Sequence, residues 1–191
     1  MSASTVANRT AAVLVVVDVQ ARLAAAMANR AAVVDAADKL IRVAALTGVP
    51  VIATRQYPAG LGDIEPRLRA SLDAVAGIVS TSVVDKMAFD CFAEPAFSQQ
   101  AAETQRRQMV IAGMESHICV VQTALSGLQA GWDVHVVADA CCSRDIGSHE
   151  IAMARLTAAG VVVTASESVL YELVGVAGTD EFRALLQMVK E

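Results

Sequence analysis

The sequence has few aromatic residues and few charges, and each shortage excludes a class of protein. Aromatic residues make up 4% of the 191 residues and charged residues 18%, whereas 55% are hydrophobic. A chain this apolar has ample surface to bury, which excludes intrinsic disorder. The longest apolar runs, such as AAVLVVV ending at Val17, stop far short of the roughly 20 residues that a membrane-spanning helix needs. We therefore expect a globular protein with one domain over residues 1–191 and no membrane partner.

Positive charge is also scarce. The chain has 15 Lys and Arg against 20 Asp and Glu, for a net charge of −5. Because Arg106–Arg107 is the nearest approach to a basic cluster, no nucleic-acid partner is expected. The four cysteines form no CxxC or Cys/His ligand pattern, and the adjacent pair Cys141 and Cys142 is poorly arranged for a disulfide. The amino-terminal stretch does not resemble a signal peptide, so we expect the reducing cytoplasm.

Short β-branched runs alternate with longer helical patterns along the chain. The predicted strands are Val13–Val17, Pro50–Thr54, Ile78–Val84, Gln108–Ala112, Val134–Ala138 and Val161–Thr164. Helices are predicted over about Ala31–Leu46, Ile118–Ala130, Ser148–Ala159, Glu167–Leu173 and Asp180–Val189. Strands that are apolar throughout are typical of a sheet covered on both faces, and their alternation with helices indicates parallel βαβ units. The predicted fold is a single three-layer α/β/α domain with a mostly parallel, doubly wound sheet.

Open α/β sheets bind ligands beyond the carboxyl ends of their strands, and several polar residues fall there. Asp18 directly follows five apolar residues, so it either caps the next turn or acts as a general base at the edge of a dry core. Lys86 either forms a surface salt bridge or faces an anion within a site, and Asp139 is expected to cap a loop. The irregular stretch Arg55–Arg67 is a candidate active-site or partner-binding loop.

Cys119 follows a predicted strand and a tight turn, and it falls in the first turn of the next predicted helix. A thiol there meets the positive end of the helix dipole and free backbone N–H groups, which favour the thiolate and could hold an oxyanion. The alternative is a buried structural cysteine, which is our interpretation of Cys91, Cys141 and Cys142. His117, two residues earlier, is expected to pack in the loop or line the pocket rather than pair with Cys119.

Three motifs together resemble the isochorismatase-like cysteine hydrolase superfamily, which includes nicotinamidases, carbamoylsarcosine amidases and isochorismatases. They are VVVDVQ with Asp18, VVDKMAF with Lys86, and GMESHICVVQTALSGLQAGWDVHVVADACCSR with Cys119. The resemblance runs from Val13 to about Val174. Within the superfamily, the segments TRQYPAGLG, DKMAFDCF and SESVLYEL are most similar to isochorismatase-domain-containing proteins.

The resemblance implies a catalytic triad of Asp18, Lys86 and Cys119 that hydrolyses a small amide or a related C–N bond. Cys119 attacks the carbonyl carbon, Asp18 takes its proton, and Lys86 orients the carboxylate and offsets its charge, which leads to a thioester-type intermediate. The resemblance also implies a cis peptide bond at Met114–Glu115 and an oxyanion hole formed by the backbone N–H groups of Glu115 and Cys119. Family members are commonly oligomeric, so we expect a homo-oligomer.

Two departures from the superfamily narrow the prediction. Metal-dependent nicotinamidases carry an Asp-x-His…His cluster after the second strand, but TRQYPAGLGDIEP contains no histidine. We therefore expect no catalytic metal and no cofactor. Bacterial isochorismatases proper replace the nucleophilic cysteine, so Cys119 argues against ether cleavage. By position, the candidates for lining the substrate pocket are Gln20, Tyr57, Phe89, Glu115 and His117.

Three alternatives to the amide hydrolase stay open at this point. The protein could be an interaction or scaffold protein of the same fold, in which the triad has no metabolic turnover. It could be a hydrolase that acts on an isochorismate-like ether. Finally, Cys119 could act as a redox sensor without hydrolytic activity.

Overall fold

The computed structural model describes residues 4–190, and its strands form one six-stranded sheet in the order β3-β2-β1-β4-β5-β6. All five neighbouring pairs are parallel. The strands are β1 (Ala12–Val17), β2 (Val51–Gln56), β3 (Thr81–Lys86), β4 (Gln108–Met114), β5 (Asp133–Cys142) and β6 (Val162–Thr164). The strand order reverses between β1 and β4, and this switch point is where doubly wound sheets bind ligands.

Helices cover both faces of the sheet. They are α1 (Ala21–Ala25), α2 (Arg30–Thr47), α3 (Pro58–Leu61), α4 (Pro66–Val75), α5 (Pro95–Glu103), α6 (Val121–Gln129), α7 (Ile146–Ala158), α8 (Ser166–Val174) and α9 (Asp180–Lys190). A short 3-10 turn (Cys91–Ala93) precedes α5, and a π-helical turn (Ser116–Val120) precedes α6. Within residues 4–190, no helix is long and apolar enough to cross a membrane.

Strand β1 shows why the predicted strands are apolar at every position. Leu14 and Val16 belong to one buried cluster, which includes residues of α2, α4 and α8, whereas Val13, Val15 and Val17 belong to a second, which includes residues of α5, α6 and α7. Because successive side chains of a strand point to opposite faces, a strand buried on both sides needs apolar residues throughout. The three-layer fold predicted from this pattern is confirmed.

The boundaries of β3 and β5 differ from the predictions, and both differences concern the site. Strand β3 begins at Thr81 and continues to Lys86, whereas Ile78 is 68% exposed and lies in the turn after α4. Strand β5 continues past Ala138 to Cys142, and a bulge shifts its register with β4 before pairing resumes at Cys141. The composition of a short segment does not reveal such a bulge, since it depends on the neighbouring strand.

Two loop regions also have more structure than expected. The stretch Arg55–Arg67 contains the end of β2, α3 and the start of α4, and an isolated bridge joins Gln20 to Ile64. The helix predicted to start at Ile118 instead begins with the π-helical turn, and α6 proper starts at Val121. Turns of this rare type are frequent at functional sites.

Candidate active site

Asp18 lies directly after β1 and is completely buried. Its φ of 53° turns the chain sharply at the end of the strand, a conformation that Asp tolerates better than most residues. Thr54 of β2 holds it at two points: the Asp18 backbone N–H donates to Thr54 Oγ1 at 3.2 Å, and the Thr54 hydroxyl donates to Asp18 Oδ1 at 2.7 Å. The second carboxylate oxygen, Oδ2, is therefore left for other partners.

Lys86 supplies the partner of that second oxygen. Its Nζ lies 2.7 Å from Asp18 Oδ2, and both side chains are 0% exposed. The ammonium also donates to Gln56 Oε1 at 2.6 Å and to the carbonyl oxygens of Ala88 and Phe89, each at 3.1 Å. Burial lowers the pKa of Lys86. The negative charge of Asp18 and smaller effects of the same sign raise it, and together they leave this pKa above its ordinary value. The pair is thus a buried, charged ion pair rather than a surface salt bridge.

Cys119 lies in the π-helical turn after β4 and is 5% exposed. The peptide bond just before this turn, Met114–Glu115, is cis. Burial, and then the negative charge of Asp18, raise the pKa of Cys119 to about 12, and the charge of Lys86 offsets this only in part. This raised pKa runs against the expectation that the helix start favours a thiolate, and its causes are burial and the negative charge of Asp18. At neutral pH the resting group is a thiol near a carboxylate that can accept its proton.

Gly113 allows the end of β4 to lie close to β1. Its φ is +143°, and a Cβ at this position would lie only 2.1 Å from the carbonyl oxygen of Val17. Only glycine fits this close approach without a backbone shift. The approach brings the residues that follow Gly113 in β4, and the π-helical turn with Cys119, to the edge of the sheet where Asp18 ends β1.

A cavity of about 90 Å³ opens at this edge of the sheet and joins the site residues. Its lining consists of Asp18, Leu23, Gln56, Leu61, Phe89, Glu115, Ile118 and Cys119. Asp18 and Cys119 therefore share one cavity, with the Lys86 ammonium behind Asp18. Of the residues predicted to line the pocket, Phe89 and Glu115 do so.

Gln20 does not line this cavity, contrary to the prediction. It is fully buried, and its side-chain amide donates to the carbonyl oxygens of Gln56 at 3.1 Å and Gly62 at 2.6 Å. Its Oε1 accepts the Gln56 backbone N–H at 2.8 Å. Gln20 thus joins the start of α1 to the end of β2 and shapes the site from behind.

Tyr57 and His117 also do not line the cavity. Tyr57 is 50% exposed, and its ring lies against Gly60, where an added Cβ would come within 2.4 Å of the ring. His117 Nδ1 hydrogen-bonds to Ser143 Oγ at 2.8 Å. Both predictions relied on position along the chain, and local partners turn the two side chains elsewhere.

Sequence reasoning missed Thr54 and Gln56, which hold the buried ion pair. They are two positions apart in β2 and therefore share a face of the sheet, and Gln56 is paired in register with Lys86. A polar residue at every second position near the end of a buried strand was the available signal. The Gln56 side chain accepts from Lys86 and donates through Nε2 to the carbonyl oxygen of Met87 at 2.7 Å.

Cys91 is a second thiol near the triad. It is buried, and burial followed by the charge of Asp18 raises its pKa to about 12. Its backbone N–H donates to Thr123 Oγ1 at 3.1 Å. A neutral thiol held among these groups fits the structural role predicted for Cys91.

Two further predictions concern Asp139 and metal ions. Asp139 accepts hydrogen bonds from the Ser166 backbone N–H at 2.7 Å and from the Ser166 hydroxyl at 2.6 Å, at the start of α8. Its predicted capping role is confirmed. In the part of the chain that the structure describes, no group of three or more His, Cys, Asp or Glu residues is arranged to hold a metal ion.

Comparison with known proteins places the chain in a family. Residues 12–168 match the family model described as Isochorismatase domain. The chain belongs to the isochorismatase family. It is 37% identical over 161 residues to isochorismatase domain-containing protein 2 of Bos taurus. This alignment covers 83% of this chain and 74% of the relative. The family recognised from the three motifs is thus confirmed.

Two solved structures share the fold over nearly the whole chain. The MAR1 ribonuclease of Caenorhabditis elegans superposes with a TM-score of 0.87 at 28% identity. The superposition covers 97% of this chain and 92% of the ribonuclease chain. The YcaC gene product of Escherichia coli, described as an octameric hydrolase of unknown specificity, has a TM-score of 0.88 at 22% identity, with coverage of 98% and 92%. Together with the family match, they identify the architecture as the isochorismatase-family hydrolase fold.

Proposed function

We propose that this protein is a cysteine hydrolase that cleaves the C–N bond of a small amide or a related compound. The observation that carries the proposal is the buried Lys86–Asp18 ion pair, 2.7 Å long, whose carboxylate shares a cavity with Cys119. A thiol, a general base beside it and a fixed cation behind the base are the components of nucleophilic acyl transfer. Membership of a hydrolase family supports the same class of reaction.

The first half of the reaction transfers the acyl group to sulfur. Asp18 Oδ2 accepts the Cys119 proton as Sγ bonds to the carbonyl carbon, and the carbonyl oxygen takes the negative charge. The backbone N–H groups of Glu115 and Cys119 are the proposed donors to this oxyanion. When the C–N bond breaks, the leaving nitrogen takes the proton from Asp18, ammonia or an amine departs, and a thioester stays on Cys119.

The second half hydrolyses the thioester. Asp18 accepts a proton from water while the water oxygen bonds to the thioester carbonyl carbon. The C–S bond then breaks, Cys119 recovers its proton from Asp18, and the carboxylic acid leaves. Lys86 keeps its charge throughout, because its N–H groups are shared among Asp18, Gln56 and two carbonyl oxygens. Its role is to hold the Asp18 carboxylate in place and offset its charge.

The test is a panel of primary amides, ureido acids and hydroxamates, with release of ammonia or acid as the readout. Cys119→Ala should abolish turnover and leave the thermal unfolding transition unchanged. Cys141→Ala removes another buried thiol, outside the cavity, and is the matched control that should stay active. Activity should persist with a chelator present, since we propose a metal-independent reaction. Full activity in Cys119→Ala would refute the mechanism, and a wild-type protein that releases neither ammonia nor acid from any compound of the panel would favour the scaffold alternative.

We further propose that the protein is a homo-oligomer. The E. coli neighbour is described as octameric, and α7 of this chain presents Ile146 and Ile151 at 59% and 72% exposure. These exposed apolar side chains are available to contact another subunit. Light scattering should give a mass above that of one chain, and a monomer at micromolar concentration would contradict this proposal.

A further inference from the structure

The cavity beside Cys119 has mainly apolar side chains as its walls. Four of its eight lining residues are Leu23, Leu61, Phe89 and Ile118, and among the described lining residues none is Lys, Arg or His. Two carboxylates line it, those of Asp18 and Glu115. An anionic group on a substrate would therefore enter a site that already holds a negative charge and would find no cation on the wall.

Two of the cations near this cavity, Lys86 and Arg144, have other partners. The Lys86 side chain is 0% exposed, and its ammonium faces Asp18, Gln56 and two backbone carbonyls. The Arg144 backbone N–H and Nε both donate to Glu115 Oε2, at 2.9 and 3.1 Å, and Arg144 lines a separate cavity. Neither is placed to pair with a carboxylate in the cavity beside Cys119.

The one side-chain amide among the described residues of the wall, Gln56, is neutral. Gln56 uses Oε1 to accept from Lys86 and Nε2 to donate to Met87 O. One N–H and one lone pair of this amide stay available, but the group is uncharged and gives a substrate carboxylate no counter-ion. The apolar side chains of the wall therefore contact the part of a substrate that lies next to the reacting group.

We propose that the substrate is an uncharged primary amide of a short aliphatic acid, and that the site rejects substrates with a carboxylate near the reacting carbonyl. This inference rests on the proposed function and specifies its substrate class. The volume of about 90 Å³ admits only the reacting end of a small molecule. A carboxylate brought there loses its water and gains no counter-ion, which is unfavourable in a low-dielectric site.

Two alkylating agents of almost the same size test the charge preference without relying on turnover. Iodoacetamide is neutral and iodoacetate is an anion, and mass spectrometry of the Cys119 peptide gives the alkylation rate for each. The rate with iodoacetamide divided by the rate with iodoacetate is compared with the same ratio for 2-mercaptoethanol. The difference measures how strongly the cavity favours a neutral reagent over an anion. We expect Cys119 to favour iodoacetamide by about tenfold more than the free thiol does, because like charges repel at close range.

A substitution at the rim of the cavity provides the reciprocal test. Phe89 is 55% exposed, so Phe89→Lys should fold and place a cation at the opening. This variant should bring the rate ratio back toward that of 2-mercaptoethanol, whereas the neutral control Phe89→Met should keep the wild-type ratio. In turnover assays, isobutyramide should be hydrolysed at least about tenfold faster than the anion succinamate, for the same electrostatic reason.

The outcomes separate this inference from the proposed function. If Cys119 reacts with both reagents in the ratio of the free thiol, or if succinamate is the better substrate, the substrate class is wrong and the cysteine hydrolase stands. If neither reagent modifies Cys119 and no amide is hydrolysed, the proposed function fails, and the substrate class fails with it.

Discussion

At the scale of single residues, the active site depends on how the Asp18 carboxylate is held. Thr54 takes one oxygen and Lys86 the other, so the carboxylate has a single orientation in which Oδ2 faces the ion-pair partner. Gln56 in turn holds Lys86. A resemblance to a family can indicate the three residues of the proposed triad, but it does not show these supports, because they act through contacts between β2 and its neighbours.

Removal of the Thr54 hydroxyl should reduce both the rate of catalysis and the stability of the fold. Thr54→Val keeps the shape but leaves Asp18 Oδ1 without its donor, and a hydrogen bond to a charged group contributes about 1.5–3 kcal/mol. We expect kcat for amide hydrolysis to fall about ten- to hundredfold with a nearly unchanged KM.

Thr54→Ser is the matched control, since it keeps the hydroxyl and should recover most of the rate. Thermal unfolding of both variants shows whether the fold is intact. Equal activity in Thr54→Val and the wild type would show that Thr54 does not position the carboxylate.

At the scale of secondary-structure elements, the junction of β1 and β4 decides whether the site forms. Gly113 allows β4 to lie close to β1, because a Cβ added at this position would be only 2.1 Å from the Val17 carbonyl oxygen. On the other side of β4, pairing with β5 shifts register between Ile111 and Gly113. The two irregularities coincide at the strand end that leads to Cys119.

Gly113→Ala should therefore destabilise the protein strongly. The added methyl group cannot avoid backbone atoms of β1, and the residue would also be held at a φ that disfavours side chains. We expect a loss of about 2 kcal/mol or more in the free energy of unfolding. Denaturant titration measures it as a lower midpoint with an unchanged slope.

Gly77→Ala is the control for this experiment. Nothing lies within 4 Å of a Cβ at Gly77, so this substitution should leave the midpoint nearly unchanged. Similar midpoints for the two variants would show that β1 and β4 can separate without loss of stability.

At the scale of the whole molecule, four buried thiols link stability to pH. Burial is the first cause of a raised pKa in each: to about 12 for Cys91 and Cys119, to about 11 for Cys142, and above the ordinary value for Cys141. Their ordinary value is 9.0. Between pH 9.0 and about 11, the unfolded chain therefore loses thiol protons that the folded chain keeps.

The free energy of unfolding should consequently fall as the pH rises above 9. The folded state binds more protons than the unfolded state in this range, so stability decreases with pH by linkage. Denaturant titrations between pH 7 and 10.5, at constant protein concentration, measure the decline.

Cys141→Ala serves as the comparison for the alkaline decline. It removes one of the four thiols and should give a shallower slope above pH 9, even if stability at pH 7 is lower. A free energy of unfolding that stays constant from pH 7 to 10.5 in the wild type would contradict the linkage.

The sequence by itself determined the layered fold, the family and the three residues of the proposed triad. Strands buried on both faces must be apolar throughout, and this local pattern can be recognised along a single chain. The tertiary structure alone decided which side chains line the cavity, how Thr54 and Gln56 hold the ion pair, and that burial raises the pKa of Cys119. These properties depend on strand register, on the bulge beside Gly113 and on burial by distant segments. They arise only when residues far apart in sequence are brought into contact.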